Sequence, residues 1–237
     1  MQTIKKRGSG VKKQQEQEIV TLAHKVSAFM ARYRNQFMIA GVLIAVAIAL
    51  FAGYSLVRSV QEQNAAPLVA AAYEYYSPSG TMTADYKKAL ELFRDIQKKY
   101  PGTTSGAIAQ YYIGNCLANL GQTDEALKAY ETFIKNYSGD KYLLGFVYQR
   151  MGYAYSSLGK KDDALKAFER SETLTGPGAA TIELARLYES AGKIRESQDK
   201  YKVVLEKLGG TSWSMEAMGK VQSIRTTPQT GETKTTK

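Results

Sequence analysis

The sequence predicts an all-α protein: one transmembrane helix near the N-terminus, then an α-solenoid of stacked helical hairpins closed by a capping helix. Three observations predict this. The 21 residues from Phe37 to Val57, FMIAGVLIAVAIALFAGYSLV, hold no ionisable group except Tyr54. The chain after them repeats small residues, turn glycines and aromatics at intervals of 33 to 38 residues. The positive charge is uneven. Of the net +10, residues 1–35 carry +6, with eight Lys and Arg against Glu16 and Glu18.

Composition narrows the function classes. With 237 residues, 44% hydrophobic and 23% charged, the chain suits one or two folded domains rather than disorder. One cysteine, Cys116, excludes an internal disulfide framework, and one histidine, His24, leaves little for a zinc site or a proton relay. A nucleic-acid reader spreads basic residues over a folded surface. Here they crowd ahead of the apolar run, so a different explanation is needed.

As a helix, Phe37 to Val57 rises about 1.5 Å per residue and spans roughly 31 Å, the thickness of a bilayer hydrocarbon core. A helix satisfies its own backbone hydrogen bonds in lipid. Tyr33 and Tyr54 fall near its ends, where amphipathic rings are favoured. Eight basic residues precede the run, whereas Arg58 is the only one between it and Lys87. The positive-inside bias therefore predicts a cytoplasmic N-terminus and an extracytoplasmic C-terminal bulk. The charged lead is too long for the n-region of a cleaved signal peptide, so an uncleaved signal anchor is expected. Before the run, Ile19, Leu22, Ala23, Val26, Phe29, Met30 and Tyr33 recur at steps of three and four. This apolar helical face suits the inner leaflet, with basic residues toward anionic lipid. The expected organisation is a basic cytosolic segment (1–35), a transmembrane helix (36–58), a linker (59–65), a repeat domain (66–225) and a disordered tail (226–237).

Three segments of the repeat domain align: IGNCLANLGQTDEALKAYETFI from Ile113, MGYAYSSLGKKDDALKAFERSE from Met151, and LARLYESAGKIRESQDKYKVVL from Leu184. Gly114, Gly152 and Ala185 correspond, then Leu117, Tyr155 and Tyr188, then the turn glycines Gly121, Gly159 and Gly192. Ala126, Ala164 and Ser197 follow, and lastly Tyr130, Phe168 and Tyr201. An earlier, degenerate copy supplies Ala89, Phe93 and Pro101, after an insertion from Ser77 to Thr83. Each unit reads as two antiparallel helices joined at a glycine able to take the left-handed C-cap conformation. Small residues let the two backbones approach, and aromatics fill the space around the contact. Thr123 is expected to cap a helix whose acidic first turn holds Asp124 and Glu125. One hairpin cannot bury its apolar face alone, so neighbours stack. Ser214 to Arg225 reads as the closing helix.

These positions resemble the tetratricopeptide repeat: small at the eighth, aromatic at the eleventh, Ala at the twentieth and aromatic at the twenty-fourth. The resemblance implies a groove lined by each hairpin's first helix. Carried across residue by residue, its lining is Tyr111, Asn115, Asn119, Phe146, Gln149, Tyr153, Ser156, Arg186, Glu189 and Lys193. Rings and amides of this kind suit an extended peptide; the competing reading is a set of solvated helix faces. Asn115 fits the pattern with which some relatives grip C-terminal carboxylates, but Tyr111 and Gln149 stand where a cation is needed.

No catalytic constellation, metal site or cofactor motif is present, so no enzyme activity and no cofactor are expected. GSGVKK, Gly8 to Lys13, lacks the spacing of a phosphate loop, and Asp124/Glu125 and Asp162/Asp163 fit helix starts. Cys116 reads as a small core residue. Core packing is expected for Tyr130, Tyr155, Tyr188 and Tyr201. In the apolar run, Gly41, Ala45, Ala49 and Gly53 form a small-residue stripe suited to an intramembrane helix contact. Ala and Gly are common enough there for chance to be a rival explanation.

The whole arrangement, including EIVTLAHKVSAFMARYRNQFMIAGVLIAVAIALFAGY, resembles the bacterial ancillary Sec-translocon subunits. That resemblance implies a single-pass inner-membrane protein with a periplasmic repeat domain, beside the Sec channel, helping periplasmic chaperones receive exported chains. Protein partners and a membrane are thus expected, with no nucleic acid and no small-molecule substrate. Two other readings stay open: a scaffold of a different envelope complex (secretion, cell-wall, pilus or respiratory machinery), and an accessory that positions a membrane-bound enzyme.

Overall fold

The computed structural model describes residues 27, 29–80 and 82–226 of the chain. Nine helices lie among them: α1 (Arg34–Tyr76), α2 (Tyr86–Lys99), α3 (Thr104–Asn119), α4 (Thr123–Asn136), α5 (Lys141–Ser157), α6 (Lys161–Thr175), α7 (Ala179–Ser190), α8 (Ile194–Lys207) and α9 (Ser212–Thr226). No strand occurs among the described residues. The chain divides into two units, Met1–Ser59 and Val60–Lys237.

In the first unit, α1 carries an 18-residue window of mean hydropathy 2.4, none of it buried. Length and composition therefore make it the one helix among the described residues able to cross a membrane. Gly41, Ala45, Ala49 and Gly53 are all exposed on it. The expected amphipathic helix lies mostly outside the described residues. Of its apolar face, Phe29 packs on Tyr33 with ring centroids 4.7 Å apart.

The stretch expected as a linker lies within α1. Residues 59–65 are helical and continuous with the rest of α1, which runs through Pro67 to Tyr76. Gln61, Glu62 and Gln63 propagate a helix well, and no glycine stands there to stop it. Ala65 and Ala72 are fully buried. The Glu62 carboxylate accepts from the Ser105 backbone N–H at 3.2 Å and from its hydroxyl at 2.5 Å. It thereby satisfies donors in the first turn of α3, which helix geometry leaves unpaired. Glu62 thus ties this part of α1 to α3.

The three aligned segments form the hairpins α3–α4, α5–α6 and α7–α8, and α9 packs on α8. Each hairpin turn holds a glycine at positive φ: Gly121 at 77°, Gly159 at 71° and Gly192 at 71°. At the first, Gln122 N–H bonds Leu117 C=O at 2.9 Å and Gly121 N–H bonds Ala118 C=O at 3.0 Å. This paired closure needs a left-handed residue. The turn is so short that Thr123 is already helical: Gln122 is the N-cap and makes no side-chain cap bond. The expected Thr123 cap is therefore corrected, while the acidic first turn of Asp124 and Glu125 is present.

Close approach occurs where the small residues predict it. A Cβ on Gly114 would lie 2.6 Å from Tyr130 Cδ1, and one on Gly152 would lie 2.6 Å from Phe168 Cε1. Tyr130 and Tyr201 are fully buried, as is Cys116. Tyr155 and Tyr188 are only half-buried. Tyr188 sends its hydroxyl outward to Glu169 at 2.7 Å. A core runs from Ala72 on α1 to Ala167 on α6, followed by smaller clusters around Phe168 and Tyr201.

Candidate functional site

The ten predicted groove residues separate into three groups. Tyr111, Phe146 and Gln149 line one cleft with Ile108, Tyr112, Leu143 and Arg150, of about 450 Å³. Asn115, Asn119 and Tyr153 line a second, with Ala118, Thr123, Tyr130, Arg150, Ala154 and Ser157, of about 230 Å³. Arg186 and Glu189 belong to neither, because α9 engages them. Ser156 and Lys193 are exposed and line neither cleft; the Lys193 ammonium lies over the Tyr188 ring at 5.8 Å.

Both clefts are walled by α3 and α5, and their shared residue is Arg150, which the repeat register did not select. Its guanidinium Nε donates to Tyr111 Oη at 3.3 Å, bridging the two helices. Burial alone would lower its pKa, but the Tyr111 hydroxyl and the nearby Tyr76 and Tyr130 raise it, so it stays charged. Arg150 stands one residue beyond Gln149 on α5. The signal was present in the sequence, in Arg150 beside Gln149, but side-chain reach decides which helix face a long residue serves.

Asn115 lines the second cleft as a buried residue. It is only 2% exposed, and its Oδ1 accepts from the Tyr130 hydroxyl at 2.7 Å. Its Nδ2 is buried with no hydrogen-bond partner, at the lining of the second cleft. Asn119 donates to Asn115 C=O at 2.8 Å. Tyr153 packs its ring edge-on to Phe168 at 5.1 Å. Burial raises its pKa and Glu183 adds to the rise, while a Gln149 hydrogen bond, Arg150 and Arg186 oppose it.

The first cleft borders a tyrosine cluster. Tyr112 stacks on Phe93 at 5.0 Å and meets Tyr73, Tyr76 and Tyr111 edge-on at 5.4, 4.9 and 5.1 Å. Burial pushes the Tyr112 phenol up to about 12. This end presents rings with polar tips, an amphipathic surface suited to apolar side chains.

At the other end, Arg186 donates to Glu216 of α9 through Nε at 2.8 Å and Nη2 at 2.5 Å, and to Glu183 through Nη1 at 2.7 Å. Glu189 accepts from Lys220 of α9 at 2.6 Å and from the Tyr201 hydroxyl at 2.8 Å. The Lys220 bond holds the Glu189 carboxyl below its ordinary pKa, and the Arg186 bond does the same for Glu216. Both predicted groove residues are therefore occupied by the capping helix. Sequence reasoning placed them on the correct helix but could not see the partner charges arriving from α9.

No group of three or more His, Cys, Asp or Glu able to hold a metal occurs among the described residues. Cys116 is buried, and burial pushes its thiol up to about 12. Such a thiol is a poor nucleophile.

The family model of the tetratricopeptide repeat matches residues 107–175, which span α3 to α6. Over those residues the chain is similar to tetratricopeptide repeats. A solved tetratricopeptide repeat protein from Parabacteroides merdae superposes with a TM-score of 0.55 at 15% identity, over 69% of this chain and 60% of that one. This chain therefore accounts for less than two thirds of that relative's length. Nearly identical TPR-like repeats from Podosopora anserina give a TM-score of 0.52 at 15% identity, over 66% of this chain and 82% of theirs. At these identities the likeness concerns the fold. No curated protein sequence matches the chain. Tetratricopeptide repeats bind protein partners generally.

Proposed function

We propose that this protein is a membrane-anchored scaffold that captures extended segments of partner proteins in the paired clefts between α3 and α5. The observation that carries the reading is the adjacency of two clefts, about 450 and 230 Å³, sharing Arg150 and lined by rings and amides. Rings give apolar contact to side chains, and amides bond a peptide backbone. On this reading α1 spans the bilayer between Phe37 and Val57, and the repeat unit is extracytoplasmic. The basic flank supports that orientation. Anchoring raises the effective concentration of the clefts at a membrane machine without any further contact. It acts by tethering, with no catalytic step.

The favoured machine is the Sec channel, with exported chains or periplasmic chaperones as clients, on the strength of the organisation from Glu16 through Arg225. The second reading is a fixed subunit of another envelope complex, favoured by the small-residue stripe Gly41, Ala45, Ala49 and Gly53, which suits a permanent helix partner. Photocrosslinking in intact cells from Ala45 and Tyr153 separates the two. Channel subunits at Ala45 with diverse exported chains at Tyr153 support the first. One protein at both positions supports the second and removes client capture. A reporter active only in the cytoplasm, fused to Lys237, tests the topology, and activity there overturns it.

A further inference from the structure

Between Ser59 and Tyr76, two stripes of α1 have different fates. Val69, Ala72 and Tyr76 pack into the core, and Ala65 is fully buried. Gln61, Asn64, Leu68, Ala71 and Tyr75 form the second stripe, following one another in steps of three and four residues. All five are exposed, Leu68 at 42% and Tyr75 at 46%. In sequence the same steps continue back to Val57 and Tyr54. Residues repeated in this way make one seam along a helix, the pattern with which two helices wind on each other. None of the seven carries a charge, whereas Arg58, Glu62 and Glu74 all fall off the stripe. Glu62 is already held by Ser105. Residues 227–237 hold no apolar side chain except Pro228 with which to cover it.

We infer that a second copy of this chain covers the stripe, its α1 lying parallel and in register so that each residue meets its own counterpart. The amides name the occupant. A side-chain amide donates and accepts at once, so Asn64 can bond the Asn64 of the other copy, and Gln61 its counterpart. A carboxylate or an ammonium at either position would meet its own charge and be repelled. The same amides set the direction. Turned antiparallel about Leu68, the stripe would lay Asn64 on Ala71 and leave a buried amide without a partner, a costly arrangement. Parallel pairing instead places an amide layer (Gln61, Asn64) beside an apolar one (Leu68, Ala71, Tyr75). A polar residue within such a seam fixes strand number and register, at some cost in affinity. The contact is isologous and so closes at two copies. It needs neither client capture by the clefts nor passage of α1 through a bilayer.

Disulfide trapping of the full chain in intact cells tests the seam, with added oxidant and products identified by mass spectrometry. Cys116 is fully buried, so the native chain serves as the unlinked control. Gln61→Cys and Ala71→Cys are each expected to give a product of twice 26.2 kDa. Ala70→Cys, exposed but off the stripe, should link roughly tenfold more slowly, because a disulfide needs the two backbones close and facing. Adding Leu68→Glu to Ala71→Cys sets like charges in the seam and should slow its linking roughly tenfold, with helical circular dichroism unchanged. Equal rates at positions 70 and 71, no product at either stripe position, or a rate indifferent to Leu68→Glu overturns the seam. In a mixture of Gln61→Cys and Tyr75→Cys chains, preferential linking between the two variants overturns the parallel register. A product with a different protein overturns the second copy as the occupant.

Discussion

Gly114→Ala adds a single methyl group, and the structure assigns it a cost. The new Cβ would lie 2.6 Å from Tyr130 Cδ1 and 2.8 Å from Cζ, well inside contact distance. The ring cannot retreat, because Tyr130 is fully buried and its hydroxyl is held by Asn115 at 2.7 Å. Either α3 and α4 move apart, or the ring turns and releases Asn115. Overpacking of this kind costs about 1–3 kcal/mol. Releasing a buried hydrogen bond costs about 1–3 kcal/mol. Against these stands the helix preference of Ala over Gly, about 1 kcal/mol. The net expectation is destabilisation of about 1 kcal/mol, either cost less the helix preference. Urea unfolding of the full chain in detergent, followed by far-ultraviolet circular dichroism, should show a midpoint lower by about 0.5 M, since slopes are about 1–3 kcal/mol per M. In a Tyr130→Leu background the obstructing ring is gone, so the same Gly114→Ala change should cost little or stabilise. That coupling is the signature of a shared contact. A midpoint that rises for Gly114→Ala in the native background would refute the close-approach argument and show that helix preference governs the position.

Two further outcomes are expected. Glu189 and Glu216 have pKa values lowered by Lys220 and Arg186. Their contribution is therefore complete above the ordinary glutamate pKa, near 4.5, and is lost as pH falls through the lowered values. Hydrogen-exchange protection in α9, relative to the intrinsic rate at each pH, should fall first between about pH 5 and pH 3, and Glu189→Gln with Glu216→Gln should flatten that dependence. Cys116, with its thiol pushed up to about 12 by burial, should resist alkylation at pH 8 in the folded chain and react in urea. Rapid labelling without denaturant would show that the α3–α4 core opens far more readily than its burial implies.

The sequence alone determined the helical class, the position of the turns and the close helix contacts, because each rests on a local rule. Glycine at positive φ, small residue against ring, and an apolar run of bilayer length are all legible along one stretch of chain. What it could not determine depended on side chains meeting across the fold. The polar stretch after the span read as a linker until Ser105 of α3 supplied the Glu62 carboxylate with donors from 43 residues away. Arg186 and Glu189 read as groove residues until α9 brought Glu216 and Lys220 to them, 30 and 31 residues on. The repeat register did not select Arg150, yet its long side chain reaches Tyr111 on the neighbouring helix. Backbone geometry is written in short-range pattern. Charge pairing, and with it which cation stays available to a partner, is decided only when the helices are stacked.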